Sequence, residues 1–322
     1  MDPLSDVLSL LKPQAHVSSG FDAGGDWAVR FGDQRRMIKC YAVVAGGCWL
    51  SIEGTDDPVR LGAGDCFVLP TGRPFRLGSH LDGPAVPASE IFPPARRGGV
   101  VTIGDGAGLS LVGSRFAVSS SHADLLLGLL PPIIHIRERP AQEALRWCVE
   151  QMMLELRNGQ PGNALAVRHL AHLMLVQALR VPLIDGNPDR RGWFFALSDR
   201  RLGAALMAIH DDPARSWTLQ ALGAVAGMSR STFAARFKEQ LGEPAIHYVA
   251  RWRMILACEQ LEHSNVPVAA IATSLGYESE SAFSTAFKRL MGCSPRQHGR
   301  SFRNEQNAPA PRSRFFPPTS LT

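Results

Sequence analysis

The sequence predicts a multidomain α+β protein: a small N-terminal β-barrel with helices after it, then a C-terminal all-α domain built on a duplicated helix pair. Three observations predict this class. Residues 27–120 hold short β-like runs punctuated by Gly, Pro and Asp, the rhythm of a small barrel or sandwich. Residues 121–181 and 199–300 change to helical periodicity. Thr218–Lys238 reads as a copy of Val268–Lys288, with Phe233/Phe283, Phe237/Phe287 and Lys238/Lys288 each 50 residues apart. A length of 322 residues fits such a division.

Asp2-Pro3 opens a short helix, with Asp as N-cap, Pro in the first turn and Leu4, Val7, Leu8 and Leu11 on one face. The β-like runs are Trp27–Phe31, Ile38–Val44, Cys48–Ile52, Asp65–Leu69, Phe75–Leu77, Val100–Ile103 and Leu109–Val118. His122–Leu130 is a short helix stopped by Pro131-Pro132. Residues 141–157 place Ala144, Leu145, Cys148, Met152 and Leu156 at helical spacing. Residues 163–181 are apolar around much of a helix, so that helix is either enclosed by its own domain or covered by a second subunit. Pro182–Gly192 is turn-rich and reads as a linker. The expected boundaries are a barrel over 1–120, a helical dimerisation and coupling segment over 121–181, a linker over 182–198, the helical domain over 199–303 and a disordered, Pro-rich tail over 304–322.

Charge follows the same division. Residues 1–198 carry 19 basic and 19 acidic side chains, whereas 199–322 carry 15 and 10. The net charge of +5 therefore lies in the half that holds the repeat, where a phosphate-binding surface needs it. The six cysteines (40, 48, 66, 148, 258 and 293) show no paired spacing and read as reduced, mostly buried thiols. No signal peptide and no run of about 18 apolar residues is found, so neither secretion nor a membrane span is expected. No P-loop, dinucleotide fingerprint or Ser-His-Asp order points to an enzyme or a cofactor. His169 and His172 lack a nearby Glu at metal spacing and read as solvated or interfacial.

Each copy of the repeat is a short apolar helix, a Gly turn, a Ser N-cap and a second helix with Phe at i and i+4. That is the layout of a helix-turn-helix, whose second helix enters the DNA major groove. In the first copy Thr218 caps a helix whose Leu219, Leu222 and Val225 face inward, and Ser229 and Arg230 open the recognition helix. With Phe233 and Phe237 inward, a step of about 100° per residue puts Ser231, Ala234, Ala235 and Lys238 outward. In the second copy Ser279 is the cap and Ser281, Ser284, Thr285 and Lys288 take the outward face. Glu280 suits the helix dipole and can also accept from a cytosine amino group. Between the copies, Pro244–Leu261 reads as a spacer helix from which Arg251 and Arg253 reach phosphates. Two recognition helices presented to one side of a duplex would read half-sites about 10 bp apart.

Residues 199–300 resemble the C-terminal domain of AraC/XylS-type transcription regulators. The resemblance rests on Trp217–Leu222, Gly227–Phe233, Arg236-Phe-Lys, Arg251–Met254, Ile271-Ala with Leu275–Ser279, Ala282-Phe-Ser, Ala286–Arg289 and Gly292–Pro295. It implies DNA binding with Ser231, Ala234, Ala235, Glu280, Ser281, Ser284 and Thr285 at base-facing positions. It also implies homodimers and activators that touch RNA polymerase. The chain departs from the family at Ala235 and Thr285, where larger side chains are frequent, and at His298-Gly299, where Tyr-Arg is usual. These departures imply weaker direct base readout.

Gly64–Gly72 matches the second cupin motif, G-x5-P-x-G, and residues 1–180 resemble the cupin-type sensor of one branch of these regulators. A catalytic cupin needs converging His and carboxylate ligands. This chain shows Tyr41 and Phe75 where His is frequent, so no metal is expected. A hydrophobic effector pocket is expected instead, lined by Trp27, Tyr41, Trp49, Phe67 and Phe75, with Arg73 for an anionic group. The whole reads as a cytoplasmic, sequence-specific activator that answers a small molecule. The alternatives are a cupin enzyme fused to a DNA-binding domain and an architectural DNA-binding protein.

Overall fold

The computed structural model describes residues 2–34, 36–55, 57–92, 99–118, 123–128, 130–137, 143–185 and 192–307. The chain forms two compact units, Met1–Asp211 with Trp217–Ile246, and Asp212–Ser216 with His247–Thr322.

In the first unit, α1 (Pro3–Leu11) is capped by Asp2, whose Oδ1 accepts from the Ser5 N–H at 3.0 Å. Ten strands follow among the described residues: β1 (Gln14–Ala23), β2 (Ala28–Phe31), β3 (Met37–Ile52), β4 (Val59–Gly62), β5 (Cys66–Leu69), β6 (Phe75–Gly78), β7 (Val86–Pro87), β8 (Val100–Ile103), β9 (Leu109–Ala117) and β10 (Ile134–Ile136). A short helix, α2 (Ala88–Ile91), follows β7, and α3 (Ala123–Leu127) follows β9. The order across the sheet is β7-β2-β6-β3-β9-β1-β8, with β4 and β5 also on β3 and β10 on β5. Two expected runs thus merge into one strand, β3, which does two jobs. Its first half pairs with β9 and β5, and its second half pairs with β4 and β6. That switch of partners curls the sheet into a half-barrel.

The switch has a local cause. Between Val43 and Ala45 the register against β9 slips by one residue, and Gly46 takes a φ of +74°. This is a β-bulge, and it inverts which side chains face inward. Tyr41 and Val43 point into the core before it; Cys48, Leu50 and Ile52 do so after it. Phe21, Trp27, Phe31, Phe67, Phe75 and Leu111 complete the interior. The rings of Phe31 and Phe75 stack at 4.3 Å, and those of Tyr41 and Phe67 at 5.0 Å. Gly113 on β9 lets the Tyr41 ring lie flat against the strand, since a Cβ there would stand 2.3 Å from it.

Helices α4 (Glu143–Asn158) and α5 (Asn163–Asp185) pack on each other and on the sheet. The question left open for α5 is partly answered. Ala171, Met174, Leu175, Ala178 and Leu179 are buried within the unit, while Leu165 and Leu173 remain exposed. Asn163–Val181 is long and apolar enough by composition alone to cross a membrane, yet one face packs as a core helix does. His172 is no solvated residue: it bonds the Pro13 carbonyl at 2.8 Å.

The compact units cut across the expected boundaries. The supposed linker contains the end of α5 and a further helix, α6 (Trp193–Ser198), with Trp193 and Phe194 buried; residues 186–191 lie outside the described residues. Helix α6 packs on α5, and α7 (Arg200–Asp211) packs on α1, where buried His210 bonds Asp6 at 3.2 Å. The first helix pair, α8 (Leu219–Val225) and α9 (Arg230–Leu241), belongs to this unit. The second unit holds most of α10 (Ala245–His263), together with α11 (Val268–Ser274), α12 (Glu280–Met291) and α13 (Pro295–Asn307). The expected tail begins too early, because 304–307 complete α13; 308–322 lie outside the described residues.

Candidate nucleic-acid interface

The two copies of the repeat are built alike, each within its own unit. In the first, Thr218 Oγ1 accepts from the Ala221 N–H at 3.1 Å and starts α8. Gly227 makes the turn at φ +61°. Ser229 Oγ accepts from the Thr232 N–H at 3.2 Å and starts α9. Phe233 and Phe237 are fully buried with centroids 5.5 Å apart. That fixes the rotation of α9, so Ser231, Ala235 and Lys238 are exposed and Ala234 is half-buried. Gly242 closes the helix in the left-handed region and donates to the Lys238 carbonyl at 2.9 Å. Leu222 is buried and Leu219 half-buried, but Val225 is 39% exposed, so the inward face of α8 is narrower than expected.

In the second copy, Ser279 Oγ accepts from the Ala282 N–H at 3.1 Å. Phe283 and Phe287 are fully buried with centroids 5.7 Å apart. Ser281, Thr285 and Lys288 are exposed and Ser284 half-buried. Gly292 repeats the left-handed cap, donating to the Lys288 carbonyl at 3.0 Å. Gly276 is required twice over: its φ is +76°, and a Cβ would meet the Ala214 carbonyl oxygen at 1.9 Å.

Four residues expected at the DNA already have partners within the fold. Arg253 is committed to the fold: Nε donates to the Pro213 carbonyl at 2.7 Å and Nη2 to the Arg215 carbonyl at 2.8 Å, with the guanidinium over the Tyr277 ring at 5.4 Å. These acceptors, not phosphates, occupy it. Arg251 lies over Tyr248 at 5.5 Å and is half-buried. Glu280 accepts from Arg296 Nη2 of α13 at 3.1 Å, so a base-reading role requires sharing or breaking that pair. Thr285 Oγ1 donates back to the Ser281 carbonyl at 3.0 Å, which leaves its lone pairs for an incoming donor. One ion pair went unread from sequence. Arg236 of α9 pairs with Asp199, and Asp199 Oδ1 also accepts from the Arg201 and Leu202 N–H groups at 2.9 Å.

The expected effector residues separate into two groups. Trp27, Tyr41, Phe67 and Phe75 do meet inside the half-barrel. Trp49 does not, because the bulge turns it to the other face, where Arg60 lies over its ring at 5.5 Å. Arg73 is exposed. The interior holds an amine that sequence reading missed. Lys39 is fully buried, with Nζ 4.9 Å from the Phe31 centroid and 4.3 Å from that of Phe75. Burial, and then the nearby Arg115, depress its pKa to about 7. Its place two residues before Tyr41 on one strand was the available signal. A separate cavity of about 210 Å³ lies between β3, the β4–β5 turn and α4, lined by Ala42, Val43, Gly64, Cys66, Arg146 and Glu150 among others.

Two family matches cover most of the chain, and the second spans residues of both compact units. Residues 2–183 match the cupin family and residues 222–301 match a helix-turn-helix domain. A Streptomyces lividans protein named as an AraC-like transcription regulator is 42% identical across 92% of this chain and 97% of its own length. The HTH-type transcriptional regulator MtrA of Neisseria gonorrhoeae is 30% identical across 91% of this chain and 97% of its own. Among solved structures, the DNA-binding domain of AdpA in complex with a target DNA aligns with 35% of this chain and all of its own, at 27% identity and a TM-score of 0.32.

Proposed function

The chain belongs to the AraC-type family of DNA-binding transcription regulators, and from that membership we propose a cytoplasmic homodimeric activator that reads DNA with both α9 and α12 and answers a small molecule held in the half-barrel. One observation carries this reading. Both recognition helices have the same Ser cap, buried Phe pair and left-handed Gly end, and each leaves an exposed face of small side chains ending in a lysine: Ser231, Ala235 and Lys238, then Ser281, Thr285 and Lys288. Side chains that short suit close approach to base edges, with Lys on phosphate.

Two observations support the finer parts. Trp147 and Leu154 of α4, seven residues apart, and Leu165 and Leu173 of α5 are exposed apolar residues on the helix pair, which suits a protomer contact. The aromatic interior of the half-barrel, with Lys39 in it, suits a flat or carbonyl-bearing effector. Its binding would shift the unit between two arrangements and so change DNA affinity.

The test is selection of duplexes from random DNA by the full chain, then affinity at matched salt for selected and scrambled duplexes. A regulator of this kind prefers the selected duplex by at least about 10³-fold. Equal affinities would leave an architectural protein held by phosphate contacts alone.

A further inference from the structure

We propose that Cys258, Glu262 and His298 form a zinc-type divalent metal site that ties α13 to α10 beneath the second recognition helix. Cys258 and Glu262 stand one turn apart on α10, and His298 reaches them from α13. One sulfur, one carboxylate oxygen and one imidazole nitrogen lie within 4.8 Å of one another. Tetrahedral zinc, with bonds of about 2.0–2.3 Å, holds its donors about 3.3–3.8 Å apart, so the cluster needs only small adjustments. The closest pair, His298 Nε2 and Glu262 Oε1 at 2.7 Å, has to open slightly.

Burial separates this cluster from the scattered acidic groups of an ordinary surface. Cys258 is wholly buried, and the side chains of Glu262 and His298 are 0% and 11% exposed. A His–Glu hydrogen bond alone accounts for two of the three residues. It does not account for a thiol placed in their midst. A divalent cation would take all three as ligands at once, the thiol binding as thiolate with its proton released to solvent. A soft sulfur with imidazole and carboxylate selects zinc over magnesium or calcium. Three protein donors leave the fourth position of a tetrahedral ion to a water or a further ligand.

The site bears on the reading helix. The His298 ring meets the Phe287 ring edge-on at 5.5 Å, and Phe287 is one of the two buried anchors of α12. Arg296, on the same turn of α13 as His298, holds Glu280. Metal on His298 would therefore fix α13, and through it the orientation of α12.

The experiment uses the reduced, chelator-treated full chain, titrated with Co²⁺ and then with Zn²⁺ in the absence of DNA. The expected result is one ion per chain, tetrahedral d–d bands, a thiolate-to-metal charge-transfer band, and displacement by Zn²⁺. Changes outside the ligand shell alone cost about 10–100-fold in affinity, so His298→Tyr and Cys258→Ala are each expected to lose at least about 100-fold. Tyr is the residue the resembling family usually has at position 298, which keeps that variant foldable; the small Cys258→Ala change serves as the second. Hydrogen exchange in α10 and α13 should slow on Zn²⁺ addition in the native chain and in neither variant. Cobalt binding without a thiolate band, or equal affinity in native chain and variants, overturns the site. Because DNA takes no part in these measurements, their failure is distinct from a failure of DNA recognition.

Discussion

Replacing Lys39 by Met should flatten the pH dependence of the first unit. The lysine is sealed against the stacked Phe31 and Phe75 rings, and its Nζ has no hydrogen-bond partner among the described residues. A base depressed by burial keeps its proton in the unfolded chain and releases it in the fold. Between its folded value of about 7 and the ordinary 10.5, the unfolded chain binds more protons, so stability rises with pH. With those two values the rise from pH 7.0 to pH 8.5 amounts to about 1.6 kcal/mol. Buried thiols such as Cys40 and Cys48 are pushed up and act in the opposite direction above about pH 8.5, equally in both proteins, so they cancel in the difference. Pulse proteolysis of the full chain in a urea series, following peptides of β3 and β9, reads the unfolding of this unit. Lys39→Met should be the more stable form at pH 7.0, by a margin that narrows by about 1.6 kcal/mol at pH 8.5. Parallel profiles would mean that the lysine is charged or solvated in the fold, and would refute the reasoning.

Three further outcomes follow from single contacts. Ser279→Ala removes the acceptor for the Ala282 N–H and should cost about 1 kcal/mol, seen as faster hydrogen exchange in the first turn of α12. Lys288→Ala should weaken binding to all sequences alike and lower the salt slope by about 1, whereas Ser281→Ala should relax preference at one base pair; titrations at several salt concentrations separate the two. Burial lowers the pKa of His210 despite its bond to Asp6, so the unfolded chain takes up a proton first as pH falls below about 6.5 and the first unit weakens there; His210→Gln should remove that part of the acid slope in urea titrations.

The recognition helices were legible because their signals are local. A Ser cap, a Phe pair at i and i+4 and a Gly end each act within one turn, so the outward set follows from rotation alone. The role of Arg253 was not legible, because its acceptors lie 38–40 residues earlier in the chain and carbonyls carry no sequence signature. Strand β1 was missed because Gln14–Ala23 has no apolar alternation; β8 on one edge and β9 on the other hold it in the sheet. Trp49 was misplaced for a countable reason. From Tyr41 a period of two leads inward at 49, and the extra residue at Val44 shifts the count by one.

If Glu280 reads DNA as proposed, its pair with Arg296 separates where DNA preference is expressed from where it is set. A mutation at 296 lies outside the reading helix, yet it would free or retune the carboxylate at its first turn. Target choice would then be heritable through a supporting helix as well as through the reading one. Comparing only the base-facing positions of two relatives would overlook that divergence.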